Sequence, residues 1–172
     1  MPVISRAIQE GALTFTFPAN GMASKYDEWS HYRNQFQQTC GASKAVDIVF
    51  AENGVAWLIE VKDFRQHARL KTIELPEEIA IKVRDTVAGL VSAKCLASDA
   101  DEKRCARALV RANIIRVVCH LEQPIKHSRL RPRAIEPDKL VLKLRTLIKA
   151  IDPHPSVVDM NSLHPTMNWC VA

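Results

Sequence analysis

The stretch from Lys44 to Lys62 constrains the fold of this chain more than any other part of its sequence. At its centre stands Asn53-Gly54, a pair that favours a type I′ turn because both residues tolerate a positive φ. A two-residue turn fixes the register of the strands on either side, so Asp47 is expected opposite Glu60, with Lys62 two residues further on. The stretch therefore predicts a β-hairpin with two carboxylates and one ammonium group on one face.

The two faces of this hairpin differ in chemistry. One face is apolar and is expected to pack against a core; its facing pairs are Phe50 with Trp57, Ile48 with Ile59, and Val46 with Val61. On the other face, like charges about 5 Å apart destabilise a sheet, and a bound cation would remove that repulsion. Mg²⁺ prefers such carboxylate ligands. A half-exposed hairpin with a solvated Glu–Lys pair is the alternative.

Asp47, followed by Glu60-Val61-Lys62 at the end of an apolar strand, resembles the motif of the PD-(D/E)XK nuclease superfamily. The resemblance implies a restriction-endonuclease-like α/β fold, with an αβββαβ core whose mixed central sheet is flanked by helices. It also implies that Asp47, Glu60 and the carbonyl group of Val61 bind Mg²⁺ or Mn²⁺, and that Lys62 acts in catalysis. Val46 stands where the family motif has proline, which is a departure from the pattern.

The family often has a third carboxylate on the helix before the hairpin. The sequence predicts a helix from Tyr26 to Gln38 with Ser24 as its N-cap. Glu28 borders the buried stripe of this helix and Asp27 points away from it, so Glu28 is the preferred catalytic candidate. Alternatively, both acids only complement the helix dipole.

The resemblance implies metal-dependent hydrolysis of phosphodiester bonds, with DNA as the expected substrate because most of the family acts on it. Two alternatives remain open from the residues. The chain could be a catalytically inactive, nuclease-like subunit that binds nucleic acid or regulates a larger assembly, or it could be a structural protein whose charged face binds a partner. A homodimer or a larger protein complex is compatible with each of these functions.

Two basic stretches, residues 63–71 and 126–133, are expected to contact phosphates. The candidate contacts are Arg65, Gln66, Arg69, Lys71, Lys126, Arg129, Arg131 and Arg133. The alternative is that both stretches are solvated surface loops, because most exposed Lys and Arg side chains contact nothing specific.

The remaining elements follow from periodicity. A strand over Leu13–Phe17 is expected to extend the hairpin, and a helix beginning at Pro76 could project Lys82 toward the carboxylates. Further expected elements are a helix over residues 99–111, a strand over residues 114–121, a helix from Pro137 and a short strand over residues 157–159. Residues 164–172 are a possible tail.

Length and composition bound the class of protein. A chain of 172 residues, 47% apolar and 25% charged, is typical of a single globular domain spanning residues 1–172. No apolar run is long enough to span a bilayer, and no signal peptide is recognisable, so no membrane association and a cytoplasmic location are expected. The five cysteines show no C-x-x-C spacing, which favours reduced thiols. The net charge of +5 favours a polyanionic partner.

Overall fold

The computed structural model describes residue 4 and residues 6–66, 72–124 and 135–172 of the chain. In chain order the regular elements are β1 (Ala7–Glu10), β2 (Leu13–Thr16), β3 (Met22–Lys25), β4 (Ile48–Glu52), β5 (Val55–Asp63), α1 (Leu75–Leu96), α2 (Ala100–Val110), β6 (Ile114–Glu122), α3 (Pro137–Ile148), β7 (Ser156–Val158) and β8 (Cys170–Val171).

A mixed sheet of five strands, in the order β3-β4-β5-β6-β7, forms the centre of the fold. Strands β3, β4 and β5 are antiparallel neighbours, whereas β6 and β7 continue the sheet in parallel. Asn53 and Gly54 have φ values of 49° and 75°, as a type I′ turn requires. The predicted register is confirmed from Glu52 opposite Val55 to Ile48 opposite Ile59.

Both faces of the central sheet are buried, so the molecule has two cores. Val49 and Leu58 point to one face, where they pack against the helices. Phe50 and Trp57 point to the other face and pack against a second, three-stranded sheet of order β1-β2-β8. The α/β class and the mixed sheet flanked by helices are therefore confirmed.

The second sheet corrects one predicted pairing. The strand predicted at Leu13–Phe17 exists as β2, but it pairs with β1 and β8 and does not extend the hairpin. Strand β3, which contains the predicted N-cap Ser24, takes that place beside β4. The reason is local: a turn through Gly11, at φ 58°, folds β1 back onto β2. At the far end of the chain, Trp169 is buried between the two sheets, next to β8.

The predicted helix from Tyr26 to Gln38 is wrong, because the segment forms only a 3-10 turn at Tyr26–Glu28 and a π-helical turn at Tyr32–Phe36. Between them Trp29 is extended, with ψ 135°, and its indole N–H donates to Ser24 Oγ at 2.6 Å. The backbone N–H groups of residues 30 and 31 donate to the carboxylate of Glu102. Tertiary partners therefore replace the helical hydrogen bonds, a competition that local sequence does not reveal.

Helices α1, α2 and α3 begin where the sequence predicts. Pro76 occupies the first turn of α1 and Pro137 that of α3, where their missing N–H groups cost nothing. Asp99 caps α2 by accepting hydrogen bonds from the N–H groups of Asp101 and Glu102. In the described part of the chain, no helix has both the length and the apolar character that crossing a membrane requires.

Candidate functional site

Five charged side chains converge at the carboxyl end of β5, and we call them the charged cluster. Asp47 lies just before β4, and the hairpin register brings it beside Glu60 and Lys62 on β5. The first two turns of α1, which begins nearby, supply Glu78 and Lys82. The structure thus brings together three residues predicted from the hairpin and two from the following helix.

Two lysine ammonium groups pair with the three carboxylates of the charged cluster. Lys62 Nζ and Lys82 Nζ both lie 2.6 Å from Glu60 Oε1, on a side chain that is fully buried. Lys82 also reaches Asp47 Oδ1 at 3.4 Å, and Lys62 reaches Glu78 Oε1 at 3.2 Å. The repulsion expected between Asp47 and Glu60 is therefore offset by a side chain of the protein itself.

Burial sets the protonation chemistry of the charged cluster. Burial and the neighbouring Asp47 raise the pKa of Glu60 to about 7, although Lys82 and Lys62 act in the opposite direction. Burial lowers the pKa values of Lys62 and Lys82, but the facing carboxylates outweigh it and raise both. Both amines therefore stay protonated at neutral pH, so they act as fixed positive charges and not as nucleophiles or bases.

The predicted metal ligands fit a divalent ion poorly. Asp47 Oδ2 accepts the N–H of Val61 at 2.7 Å, and Lys82 occupies the space between Asp47 and Glu60. One acceptor, Glu60 Oε2, is buried without a hydrogen-bond partner. Within residues 6–66, 72–124 and 135–172, no three His, Cys, Asp or Glu side chains are grouped to hold a metal. Binding of Mg²⁺ or Mn²⁺ stays a prediction.

A cavity of about 610 Å³ opens beside the charged cluster. It is lined by Asp27, Tyr32, Arg33, Gln37, Ala42, Ser43, Lys44, Ala45, Asp47 and Lys82. Glu28, the preferred third carboxylate, is exposed and pairs with Lys25 at 3.3 Å, whereas Asp27 faces the cavity. Burial, with Asp47 and Glu10 nearby, raises the pKa of Asp27 to about 6. If a third carboxylate serves this site, Asp27 has the better position.

The predicted phosphate contacts are placed only in part. The guanidinium of Arg65 is held by both carboxylate oxygens of Asp63, at 2.9 and 2.6 Å, and Gln66 is exposed next to it. Arg69, Lys71, Lys126, Arg129, Arg131 and Arg133 lie outside the described residues. Arg65 therefore has a carboxylate partner that a phosphate would have to displace.

A row of arginines on α2 was missed by the sequence reasoning. Arg104, Arg107 and Arg111 are spaced i, i+3 and i+7, and all three are exposed on the outer face of the helix and its C-cap. Arg104 pairs with Asp101 at 2.9 Å, a surface contact of little strength. The helical spacing of three arginines opposite the buried Cys105 and Leu109 is the signal that could have identified this arginine row.

Fold and site together define an α/β protein with a charged cluster of internal ion pairs at one end of its central sheet and exposed arginines on a flanking helix. The chain is similar to a cysteine–tRNA ligase of Neisseria meningitidis serogroup A / serotype 4A, with 36% identity over 156 residues. The likeness covers 73% of this chain but only 22% of the ligase. No family model matches the chain, and no solved structure matches it.

The likeness overturns the nuclease prediction. The assignment to the PD-(D/E)XK superfamily is wrong, and so is the predicted metal-dependent endonuclease, because the similar protein is a tRNA ligase and not a phosphodiester hydrolase. The geometry of the charged cluster gives a physical reason why the Asp47 and Glu60-Val61-Lys62 motif led to a wrong prediction of activity. Asp47, Glu60 and Lys62 meet as their spacing predicts, but Lys82 completes an ion-pair network in which the carboxylates already have partners.

Proposed function

We propose that this chain is a tRNA-binding module that works with an aminoacyl-tRNA synthetase, and that it binds RNA without cutting it. The observation that carries the proposal is the likeness of most of this chain to a limited part of a cysteine–tRNA ligase. Because the chain spans 22% of that ligase, the proposed role is binding or positioning of tRNA, and the ligation reaction itself is not assigned to it.

The arginine row supports this proposal. A guanidinium presents a planar set of donors that matches a phosphate in a bidentate manner, so exposed arginines at helical spacing suit an RNA backbone. The net charge of +5 acts in the same direction, because it attracts polyanions before any specific contact forms. The proposed partner is RNA in place of the predicted DNA, since the similar protein is named for tRNA.

The order of strands and helices from β3 to β6 is compatible with the predicted core. We propose that the fold contains the βββαβ part of the αβββαβ core. This part consists of β3, β4 and β5, followed by a crossover through α1 and α2 to the parallel strand β6. The broken segment at residues 26–36 stands where the first helix was expected. A shared scaffold does not fix an activity, so this topology is compatible with RNA binding. A cytoplasmic location and a homodimer or larger complex stay predictions.

The proposal is tested by fluorescence anisotropy with labelled unfractionated tRNA and with DNA of the same length at low salt. We expect wild-type protein to bind tRNA more tightly than DNA, without cleaving either in the presence of Mg²⁺. The variant with Arg104→Ala, Arg107→Ala and Arg111→Ala should bind tRNA at least tenfold more weakly, because three phosphate contacts are lost.

The matched control removes the same charge from another helix. Lys139, Lys143 and Arg145 are exposed on α3, and their simultaneous change to alanine should weaken tRNA binding much less than loss of the arginine row. Equal weakening by both triple variants would show that the arginine row has no special part in binding. Absence of tRNA binding by the wild-type protein, or cleavage of the tRNA, would contradict the proposed function itself.

A further inference from the structure

A second cavity, also of about 610 Å³, lies at the hairpin end of the central sheet, away from the charged cluster. It is formed by the starts of β5 and β6 and by the segment that precedes β8. Its lining residues are Glu52, Asn53, Val55, Trp57, Ile114, Arg116, His154, Ser156, His164, Thr166, Met167 and Asn168. We call it the hairpin-end cavity. Its volume lies in the range of about 300–1,000 Å³ that is usual for pockets binding small organic ligands.

The hairpin-end cavity combines an apolar wall with a polar rim. Val55, Trp57, Ile114 and Met167 provide the wall, and Ile114 is 44% exposed there. The rim carries amide, hydroxyl and imidazole groups that donate and accept hydrogen bonds. This pairing of an apolar wall with several directional polar groups suits a planar heterocycle that has an apolar face and a hydrogen-bonding edge.

Several rim groups are held in place by contacts within the protein. Asn168 Nδ2 donates to Glu52 Oε2 at 2.9 Å, which ties the segment before β8 to the end of β4. His164 Nδ1 lies 2.8 Å from Thr166 Oγ1. Because these groups are already oriented, binding a ligand would order few side chains, and the entropic cost of binding would be small.

Positive charge adjoins the hairpin-end cavity at Arg116. Arg116 lines it, one third exposed, with its guanidinium fixed by the buried Asp152 at 2.9 Å. The arginine row ends at Arg111, and the next turn joins the cavity edge because the N–H groups of Asn113 and Ile114 both donate to Gly54 O. The arginine row therefore ends near the turn that borders the hairpin-end cavity, although α2 packs against the opposite face of the central sheet.

From this juxtaposition we propose that the hairpin-end cavity takes one unpaired nucleotide of the bound RNA. The base lies against the apolar wall with its polar edge on the rim, the nearest phosphate lies on Arg116, and the RNA backbone continues around the end of the sheet to the arginine row. This inference rests on the proposed RNA binding and adds the class of substrate, a single-stranded segment. Unstacked bases are what proteins read in RNA, because the edges of bases in an A-form helix are poorly accessible.

The inference is tested with two fluorescent probes, a 12-nucleotide single-stranded RNA and the same strand in a fully paired duplex. Asn168→Ala and His154→Ala remove polar groups from the rim without touching the arginine row. We expect each to weaken binding of the single strand at least fivefold and to leave duplex binding unchanged. The triple arginine variant should weaken both probes, because phosphates are present in both.

The outcomes separate the two proposals. If the rim variants bind the single strand as well as wild-type protein does, while the triple arginine variant binds it weakly, the hairpin-end cavity is not a nucleotide site and RNA binding stands. If wild-type protein binds neither probe nor tRNA, the proposed function fails.

A measurement on the wild-type protein removes any dependence on the folding of variants. In two-dimensional NMR, the indole N–H signal of Trp57 should shift when oligouridylate is added. The signal of Trp29 should stay in place, because that ring is buried in the helix-side core and its N–H is bonded to Ser24. An unchanged Trp57 signal at saturating oligouridylate would overturn the nucleotide site.

Discussion

The two ends of the central sheet carry charge in opposite ways. At the carboxyl end of β5, the ammonium groups of Lys62 and Lys82 bind carboxylates that are wholly or mostly buried. Toward the hairpin end, the arginine row is exposed on α2, and of its three members only Arg104 contacts an acid in the part of the chain that the structure describes. The ammonium groups of the charged cluster are used within the protein, whereas the arginine row has charge available for a partner.

This contrast teaches that a charged motif is informative only when its partners are known. The cluster of Asp47, Glu60 and Lys62 has the stronger signal in the sequence, because the turn fixes its geometry. Its charges nonetheless serve each other once Lys82 is placed among them. The arginine row has no distinctive motif, yet its exposure makes it the better candidate for contact with a polyanion.

The sharpest test of the contrast is Lys82→Met, which keeps most of the side-chain volume and removes the charge. Glu60 would lose one of its two ammonium partners while staying fully buried. We expect the free energy of unfolding to fall by about 3 kcal/mol, because a buried carboxylate is then poorly compensated. Urea denaturation at pH 7 measures this change. As a control, Arg107→Ala in the arginine row should change the free energy of unfolding by less than about 0.5 kcal/mol. Equal losses of stability in the two variants would contradict the distinction between the charged cluster and the arginine row.

Salt dependence probes the arginine row directly. Each phosphate contact contributes roughly 0.7–0.9 to the slope of log affinity against log salt concentration. The triple arginine variant should therefore have a slope shallower than that of wild-type protein by about 2, from anisotropy titrations with tRNA at several salt concentrations. The α3 triple variant should keep most of the wild-type slope, and a slope unaltered by loss of the arginine row would place the RNA elsewhere.

Asp27→Asn tests the electrostatics of the cavity beside the charged cluster. The pKa of Asp27 is raised from 3.8 to about 6, so the folded protein retains this proton longer than the unfolded chain does. Its contribution to stability is therefore present at low pH and is lost as the pH rises from about 4 through 6. The variant should match wild-type stability near pH 4 and exceed it by about 1 kcal/mol at pH 7.5, since partial exposure limits the effect. Chemical denaturation across this pH range would contradict the assignment if the difference did not grow with pH.

The smallest expected changes in the free energy of unfolding come from two residues with positive φ, one at each end of the central sheet. Gly54 has φ 75° in the hairpin turn, so Gly54→Ala should lower the free energy of unfolding by about 1 kcal/mol. Ala42, which lines the cavity beside the charged cluster, has φ 93°, so Ala42→Gly should relieve strain and raise stability by about 0.5 kcal/mol. Thermal denaturation of both variants measures these opposite signs, and a stabilising Gly54→Ala would mean that the turn is not left-handed at this residue.

Much of the fold was accessible from sequence because its signals are local. Asn53-Gly54 specifies its own turn and thereby the hairpin register, and Pro76, Asp99 and Pro137 mark helix starts through backbone chemistry that needs no distant partner. The helix predicted from Tyr26 was wrong because backbone N–H groups of this segment donate to Glu102, about 70 residues further along the chain. The functional prediction was wrong for a related reason, since a short motif does not reveal which distant side chains pair with its charges.

The sequence by itself determined that Asp47 and Glu60 would meet across a two-residue turn, because the period of a strand and the φ preferences of Asn and Gly leave one register. Only the tertiary structure decided what that meeting means. Packing of α1 on the sheet places the Lys82 ammonium group against both carboxylates, and packing of α2 turns the arginine row outward to solvent. Register is a local property of the backbone, whereas the partner of a charge depends on which distant elements share a core.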